Sequence, residues 1–249
     1  MEQKEISKLK QLIKELKEAD TNEELLFGRA DNYKLYKTIF EGDEIQELKV
    51  ILLNTIEYYL DNRNIEKYDL EISCDDSIDV VDTEAVEEYE KLLENINNER
   101  SINKISEETS FDKINFIYFK IEKPNSDIKI TIFKKFIKPQ NALRKSMKVK
   151  LLGEKMKRVK EDILYLDGLV SCFEYNGKFY IFDRNHFNSL FKFREMYCKL
   201  VDDNSNEICK SEFIDDPEAF IEKCKNNRTF CKKNIQSYNG KWAWEHKRE

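Results

Sequence analysis

The sequence contains few of the residues on which common enzyme sites depend. Its 249 residues include six glycines, three prolines and two histidines. It has no glycine-rich phosphate loop and no G-x-S-x-G or H-E-x-x-H motif, so most familiar active sites are unsupported. The six cysteines form no C-x-x-C pair, which disfavours a zinc site or a disulfide framework. We therefore expect a non-enzymatic protein with no cofactor and no metal site.

Long apolar runs are also lacking. The longest, such as "INFIYF", extend over a few residues, whereas a membrane-spanning helix needs about 20. The charged N-terminus lacks the apolar core of a secretory signal. These features predict a cytoplasmic protein.

Charge is distributed unevenly along the chain, whose formal net charge is −6. Residues 1–110 hold 14 basic and 29 acidic side chains, whereas residues 111–249 hold 29 basic and 20 acidic ones. Such asymmetry is typical of a protein in which one part meets a polyanion while another part faces solvent or a basic partner.

Hydrophobic periodicity divides the chain near the same place. Apolar residues recur at three-four spacing near 6–16, 43–61 and 83–98, which predicts three amphipathic helices, and "ELLFGRA" and "YKLYKTIF" are typical of short strands. From about residue 111 the period becomes two, and "PNSD" predicts a hairpin turn between two strands.

Two turn dipeptides predict the next elements. Asp167-Gly168 and Asn176-Gly177 suit tight hairpin turns and predict a three-stranded meander, after which Asp183 can cap a helix. The meander is apolar on both faces, with Val170, Cys172, Phe179 and Ile181 assigned to one of them. The predicted fold class is α+β: a mixed α/β layer with amphipathic helices at 1–105, then antiparallel hairpins and a meander packed with helices at 106–249.

The basic segment, residues 133–160, carries eleven Lys and Arg side chains against one acid, Glu154. We expect helix or loop after Arg144, in which Leu143, Met147, Leu151 and Leu152 could form a buried side. A solvated face normally mixes charges of both signs, so this bias favours contact with a polyanion. No aromatic residue occurs between Lys138 and Lys160, which favours phosphates over stacked bases. The candidate DNA contacts are Lys134, Lys135, Lys138, Arg144, Lys145, Lys148, Lys150, Lys155, Lys157, Arg158 and Lys160.

The acidic run, residues 75–94, holds nine acids and one Lys. It could be a metal site, a DNA-mimicking surface or a solvated helix face, and the last is favoured. If it docks on a basic partner, the candidate contacts are Asp75, Asp76, Asp79 and Asp82.

Three further features leave alternatives open. A carboxylate-based nuclease site could include Asp69, Glu71, Asp75 and Asp76, although so acidic a chain produces such groupings by chance. His186 is expected to be a surface or a structural histidine and not a catalytic one. Trp242 and Trp244 either close the core or form an interface anchor.

The basic segment, the stretch "EDILYLDGLVSCFEYNGKFYIFDRNHFNSLFKF" and the charged helix after it resemble the B component of the Kiwa anti-phage defence system. The likeness is clearest over residues 130–200 and includes the strand–turn–strand unit and the helix around Phe187 and Phe191. More chain would be expected after residues 217–235, so the resemblance predicts a shortened member.

The resemblance implies an effector that binds DNA and acts with a small multi-span membrane protein, which would recruit it to the inner face of the membrane. A homo-oligomer is also compatible with it. Three functions remain in view: a non-catalytic DNA-binding defence effector, a scaffold that makes protein or membrane-surface contacts, and a metal-dependent nuclease.

Overall fold

The structure is a computed structural model of the chain. The structure describes residues 2–40, 43–68, 76–98, 100, 102–105, 114–136, 149–152, 155–158, 166–192, 201, 209, 214–226 and 230. Within these residues the chain forms an α+β fold, as the sequence predicts.

Five α-helices and eleven strands lie in the described residues. The helices are α1 (Glu2–Glu18), α2 (Glu44–Asn62), α3 (Glu87–Asn97), α4 (Arg184–Leu190) and α5 (Pro217–Asn226). The strands are β1 (Asn22–Arg29), β2 (Lys34–Lys37), β3 (Asn64–Lys67), β4 (Ser77–Asp82), β5 (Ile102–Lys104), β6 (Phe116–Glu122), β7 (Lys129–Lys135), β8 (Val149–Leu152), β9 (Lys155–Arg158), β10 (Cys172–Tyr175) and β11 (Lys178–Ile181).

Nine of these strands form one sheet, in the order β3-β4-β11-β10-β7-β6-β1-β2-β5. The pairs at its two ends, β3 with β4 and β2 with β5, are parallel, and the inner pairs are antiparallel. Strands from 1–105 and from 106–249 enter this sheet together. Strands from both sides of the predicted boundary near residue 105 therefore share one sheet.

Helices cover both faces of the sheet. On one face, α1 and α2 bury an apolar cluster that includes Leu16, Leu52 and Phe119. On the other, α3 and α4 bury a second cluster that includes Tyr89, Phe133 and Phe187. The prediction that both faces of the β10–β11 hairpin are covered is thus confirmed. Val170 is an exception, because it packs in the first cluster and not with Cys172, Phe179 and Ile181 in the second.

Local sequence explains the two central hairpins. The alternating residues of β6 and β7 pair from Phe116↔Lys135 to Glu122↔Lys129, as the period of two predicts. In the β10–β11 turn, Asn176 and Gly177 have φ values of 53° and 75°, the left-handed conformation that this dipeptide tolerates. Asp183 caps α4 by accepting a hydrogen bond from the backbone N–H of His186.

The basic segment departs from the prediction. Helix or loop was expected after Arg144, but Val149–Leu152 and Lys155–Arg158 are antiparallel strands that form a separate two-stranded sheet, with Leu151 and Leu152 on a strand. The predicted helix near 83–98 is also divided, into a short 3-10 helix at Thr83–Ala85 followed by α3.

No helix in the described ranges is long and apolar enough to cross a membrane.

Candidate nucleic-acid interface

The candidate interface is the basic segment, and its described residues lie in two places. Lys134 and Lys135 end β7 in the large sheet, whereas Lys150, Lys155, Lys157 and Arg158 lie on the β8–β9 hairpin. The other candidates, Lys138, Arg144, Lys145, Lys148 and Lys160, are outside the described residues.

The hairpin register brings basic residues together. Lys150 lies opposite Lys157, and Val149 lies opposite Arg158. Lys155, at the start of β9, is exposed.

Lys134 is in the protein interior. The residue is 2% exposed, its ammonium pairs with the Asp167 carboxylate, and it donates a hydrogen bond to the Leu169 carbonyl at 3.1 Å. Burial lowers the pKa of Lys134, and the interaction with Asp167 opposes that shift. Lys134 therefore does not lie on the surface, as a phosphate contact would require. Its charge instead holds the 167–169 loop against β7.

Lys135 is also engaged within the protein. Its backbone N–H donates to Ser171 Oγ at 2.9 Å, and its ammonium contacts Ser189 Oγ on α4. The two lysines at the end of β7 thus connect that strand to the 167–171 loop and to α4. Sequence reasoning missed these partners, because nothing in the local pattern marks Asp167 or Ser189 as the partner of a distant lysine.

His186 belongs to the same polar cluster. Its Nδ1 lies 3.2 Å from Ser171 Oγ and 3.3 Å from Asp183 Oδ2. Burial lowers the pKa of His186, which favours the neutral imidazole. Ser171 is only 1% exposed, so this contact is buried. These contacts join α4 to the loop before β10.

The predicted acidic contacts also include both an internal residue and exposed ones. Asp79 is 2% exposed and forms a two-pronged ion pair with Arg184, in which Nη2 and Oδ1 are 2.5 Å apart. The Arg184 guanidinium also lies 4.8 Å from the Tyr68 ring centre. Asp79 is therefore an internal residue that links β4 to α4. Asp76 and Asp82 are exposed, and Asp75 is outside the described residues.

The remaining predictions concern metal and tryptophan. Of the suggested nuclease residues, Asp76 is described, whereas Asp69, Glu71 and Asp75 are not. Within the described part of the chain, no group of three or more His, Cys, Asp or Glu side chains could hold a metal ion. Trp242 and Trp244 also lie outside the described residues.

Comparison with protein-family models shows what part of this chain resembles. Residues 141–241 match the family described as Kiwa protein KwaB-like. The matched segment is about two fifths of the chain and contains β8 to β11, α4 and α5. This match confirms the resemblance predicted from the sequence, and over this segment the chain is similar to a component of Kiwa anti-phage defence. No curated protein and no solved structure matches the chain.

Proposed function

We propose that this protein is a non-catalytic component of Kiwa-type anti-phage defence that binds DNA without strong sequence preference through its basic segment. The family match over residues 141–241 supports the defence role. The observation that carries the DNA-binding role is the β8–β9 hairpin, in which Lys150 opposes Lys157 outside the large sheet.

A two-stranded ribbon of this kind is a suitable shape for DNA. Such a ribbon can enter the major groove, and lysines and arginines on it can contact the phosphates on either side. Because phosphates are the same at every base pair, such contacts hold the protein on the duplex but do not read sequence. Lys134 does not belong to this surface, since its charge is buried against Asp167.

The second part of the proposal concerns a membrane protein. The resemblance implies a small multi-span membrane partner, and such proteins carry an excess of Lys and Arg on their cytoplasmic side. The exposed acids of the acidic run would complement those charges and would bring the protein to the inner face of the membrane. Asp79 is excluded from this surface because it is paired internally with Arg184.

Charge reversal of the hairpin tests DNA binding. Replacing Lys150, Lys155, Lys157 and Arg158 by Glu should abolish binding to a mixed-sequence duplex at physiological salt, because attraction becomes repulsion. Neutralising the four residues one at a time should reduce the slope of log affinity against log salt by about 0.9 for each phosphate that is no longer neutralised. Fluorescence anisotropy with a labelled duplex at several salt concentrations measures both effects, and added Mg²⁺ reports any cleavage.

A matched control separates local charge from net charge. Lys4, Lys8, Lys14 and Lys67 are exposed and lie outside the basic segment. Their replacement by Glu changes the net charge by the same amount and should leave most of the affinity in place. If the hairpin variant is folded and keeps the salt slope of the parent, the hairpin is a solvated surface and the scaffold function replaces DNA binding. Cleavage of the duplex with Mg²⁺ would instead favour the nuclease.

A further inference from the structure

The sheet face that carries α3 and α4 becomes charged beyond the end of α3. Along one row across the sheet, Lys104 is opposite Lys37, Lys37 is opposite Leu26, and Leu26 is opposite Tyr118. In the next row that points to the same face, Glu24 is opposite Lys120. Residues paired across a sheet point to the same face, so these charged side chains extend the face on which the second apolar cluster lies.

A groove lies at this place, between the C-terminal end of α3 and the sheet strands β1, β2, β5, β6 and β7. Its volume is about 580 Å³, which is within the usual range of small-ligand sites, about 300 to 1,000 Å³. Four lysines line it, against one glutamate, Glu24: Lys37, Lys104, Lys120 and Lys129. We call it the lysine groove.

Three of the four lysines form no ion pair with the described part of the chain. Lys120 pairs with Glu122 at 2.6 Å. Lys37, Lys104 and Lys129 are exposed, and none of them lies within 4.0 Å of a carboxylate of the described residues. Lys37 and Lys104 occupy directly opposed positions on β2 and β5, so their like charges repel. An anion held between them would relieve this repulsion.

The opposite wall of the groove is apolar. It is formed by Leu93 and Ile96 on α3 and by Ile102 on β5, all of them half-buried. Asn97 and Asn103 stand beside this wall, and Asn103 donates a hydrogen bond to the Leu35 carbonyl at 3.3 Å. Glu24 supplies a carboxylate acceptor, and burial together with this carboxylate raises the pKa of Tyr118 on the groove floor.

We infer that the lysine groove binds a nucleotide, with its phosphates on Lys37, Lys104 and Lys129. The flat base lies against the apolar wall, and its amino or imino hydrogens have the Glu24 carboxylate as an acceptor. A single phosphate ion would use the cations but not the wall, whereas a nucleotide uses both. The nucleotide can be free in solution or part of a single strand. This site is separate from the β8–β9 hairpin and does not depend on DNA binding there.

The test uses the full chain and three probes. Fluorescently labelled ATP represents a free nucleotide, labelled hexathymidylate represents a single strand, and unlabelled inorganic tripolyphosphate competes as phosphate alone. The test variant replaces Lys37 and Lys104 by Gln. The matched control replaces Lys14 and Lys67, two exposed lysines outside the groove, by Gln. Circular dichroism and thermal melting show that both variants are folded.

We expect the parent to bind at least one labelled probe. The Lys37→Gln/Lys104→Gln variant should bind it at least about tenfold more weakly, since it lacks two charge-assisted hydrogen bonds to phosphate, and the control should stay within about twofold. The hairpin charge-reversal variant should bind ATP like the parent, which distinguishes failure at this site from failure of the hairpin. Preference for ATP identifies a free nucleotide, and preference for hexathymidylate identifies a single strand. Binding of neither probe, equal losses in both double variants, or tripolyphosphate competing as well as ATP would overturn the inference.

Discussion

Individual charged residues of this chain are found in the interior as well as on the surface. Lys134 and Asp79 each occur in a run of like charge, and the sequence places both on charged surfaces. Their partners, Asp167 and Arg184, are 33 and 105 residues away along the chain. A buried charge is tolerated when it is paired, and the partner is brought to it by the fold and not by the local pattern. Sequence reasoning could therefore not separate these two residues from their exposed neighbours.

Glu174 gives a pH-dependent prediction at this scale. It is 7% exposed, accepts a hydrogen bond from the Gly177 N–H at 3.1 Å, and burial raises its pKa above the ordinary 4.5. Because the pKa of Glu174 is higher in the folded state than in the unfolded state, the unfolded chain loses this proton at a lower pH. The carboxylate therefore becomes destabilising as the pH rises from about 4.5 through the folded-state pKa.

Replacing Glu174 by Gln should stabilise the protein near neutral pH by an amount on the order of 1 kcal/mol, because the amide is uncharged and can still accept the Gly177 hydrogen bond. At about pH 4 the gain should vanish, since the parent side chain is then protonated as well. Thermal melting of parent and variant across this range measures the difference. A gain that is independent of pH would show that the carboxylate charge is not its cause.

At the scale of elements, the long periodic segments were predicted well. The helices near 6–16 and 43–61 and the β6–β7 hairpin correspond to the observed elements, because their apolar residues follow one period throughout. The β8–β9 hairpin was missed. In "MKVKLLGEKMK" the leucines fit both a helix face and a pair of short strands, and segments of four residues are too short for periodicity to decide.

The β1–β6 pairing gives a second prediction. Gly28 lies opposite Phe116, and a β-carbon added at Gly28 would be 2.1 Å from the Phe116 ring, which is 1% exposed. Gly28→Ala should therefore destabilise the protein by about 1 to 3 kcal/mol, the usual cost of overpacking a core. Urea denaturation measures this change.

A second substitution checks the cause. Phe116→Leu removes the ring and by itself should be destabilising, because it leaves a cavity. Combined with Gly28→Ala, it should recover part of the loss, so that the double variant is more stable than the sum of the single effects predicts. If the destabilising effects of the two substitutions simply add, contact with the Phe116 ring is not the reason that a glycine is required at position 28.

At the scale of the whole molecule, the large sheet joins the acidic and basic parts of the chain. Charge counts identified the asymmetry correctly, but they could not reveal that β4 pairs with β11 and β1 with β6. Such long-range pairings depend on which apolar faces pack together, and the amino-acid composition does not specify this. Four acids of the acidic run are exposed: Asp76, Asp82, Glu84 and Glu87.

These acids give the prediction for the membrane partner. If the proposed membrane partner docks on these acids, neutralising Asp76, Asp82, Glu84 and Glu87 to Asn or Gln should weaken its co-purification, because complementary charge is removed. Asp79 is left intact, since breaking its buried pair would destabilise the protein by about 3 to 5 kcal/mol. Neutralising Glu18, Asp20, Asp43 and Glu66, which are exposed elsewhere, is the matched control. Equal recovery of the partner with both variants would exclude the acidic run as the docking surface.

The order of the strands also has a consequence for synthesis on the ribosome. β4 at Ser77–Asp82 pairs with β11 at Lys178–Ile181, about 100 residues later in the chain. At translation rates of about 5 to 20 residues per second, the edge of β4 that pairs with β11 stays unpaired for roughly 5 to 20 seconds. During that interval the nascent chain carries an open sheet edge beside unfinished apolar faces, the situation in which chaperones are needed. The pace of translation through residues 83–181 therefore bears directly on the yield of folded protein.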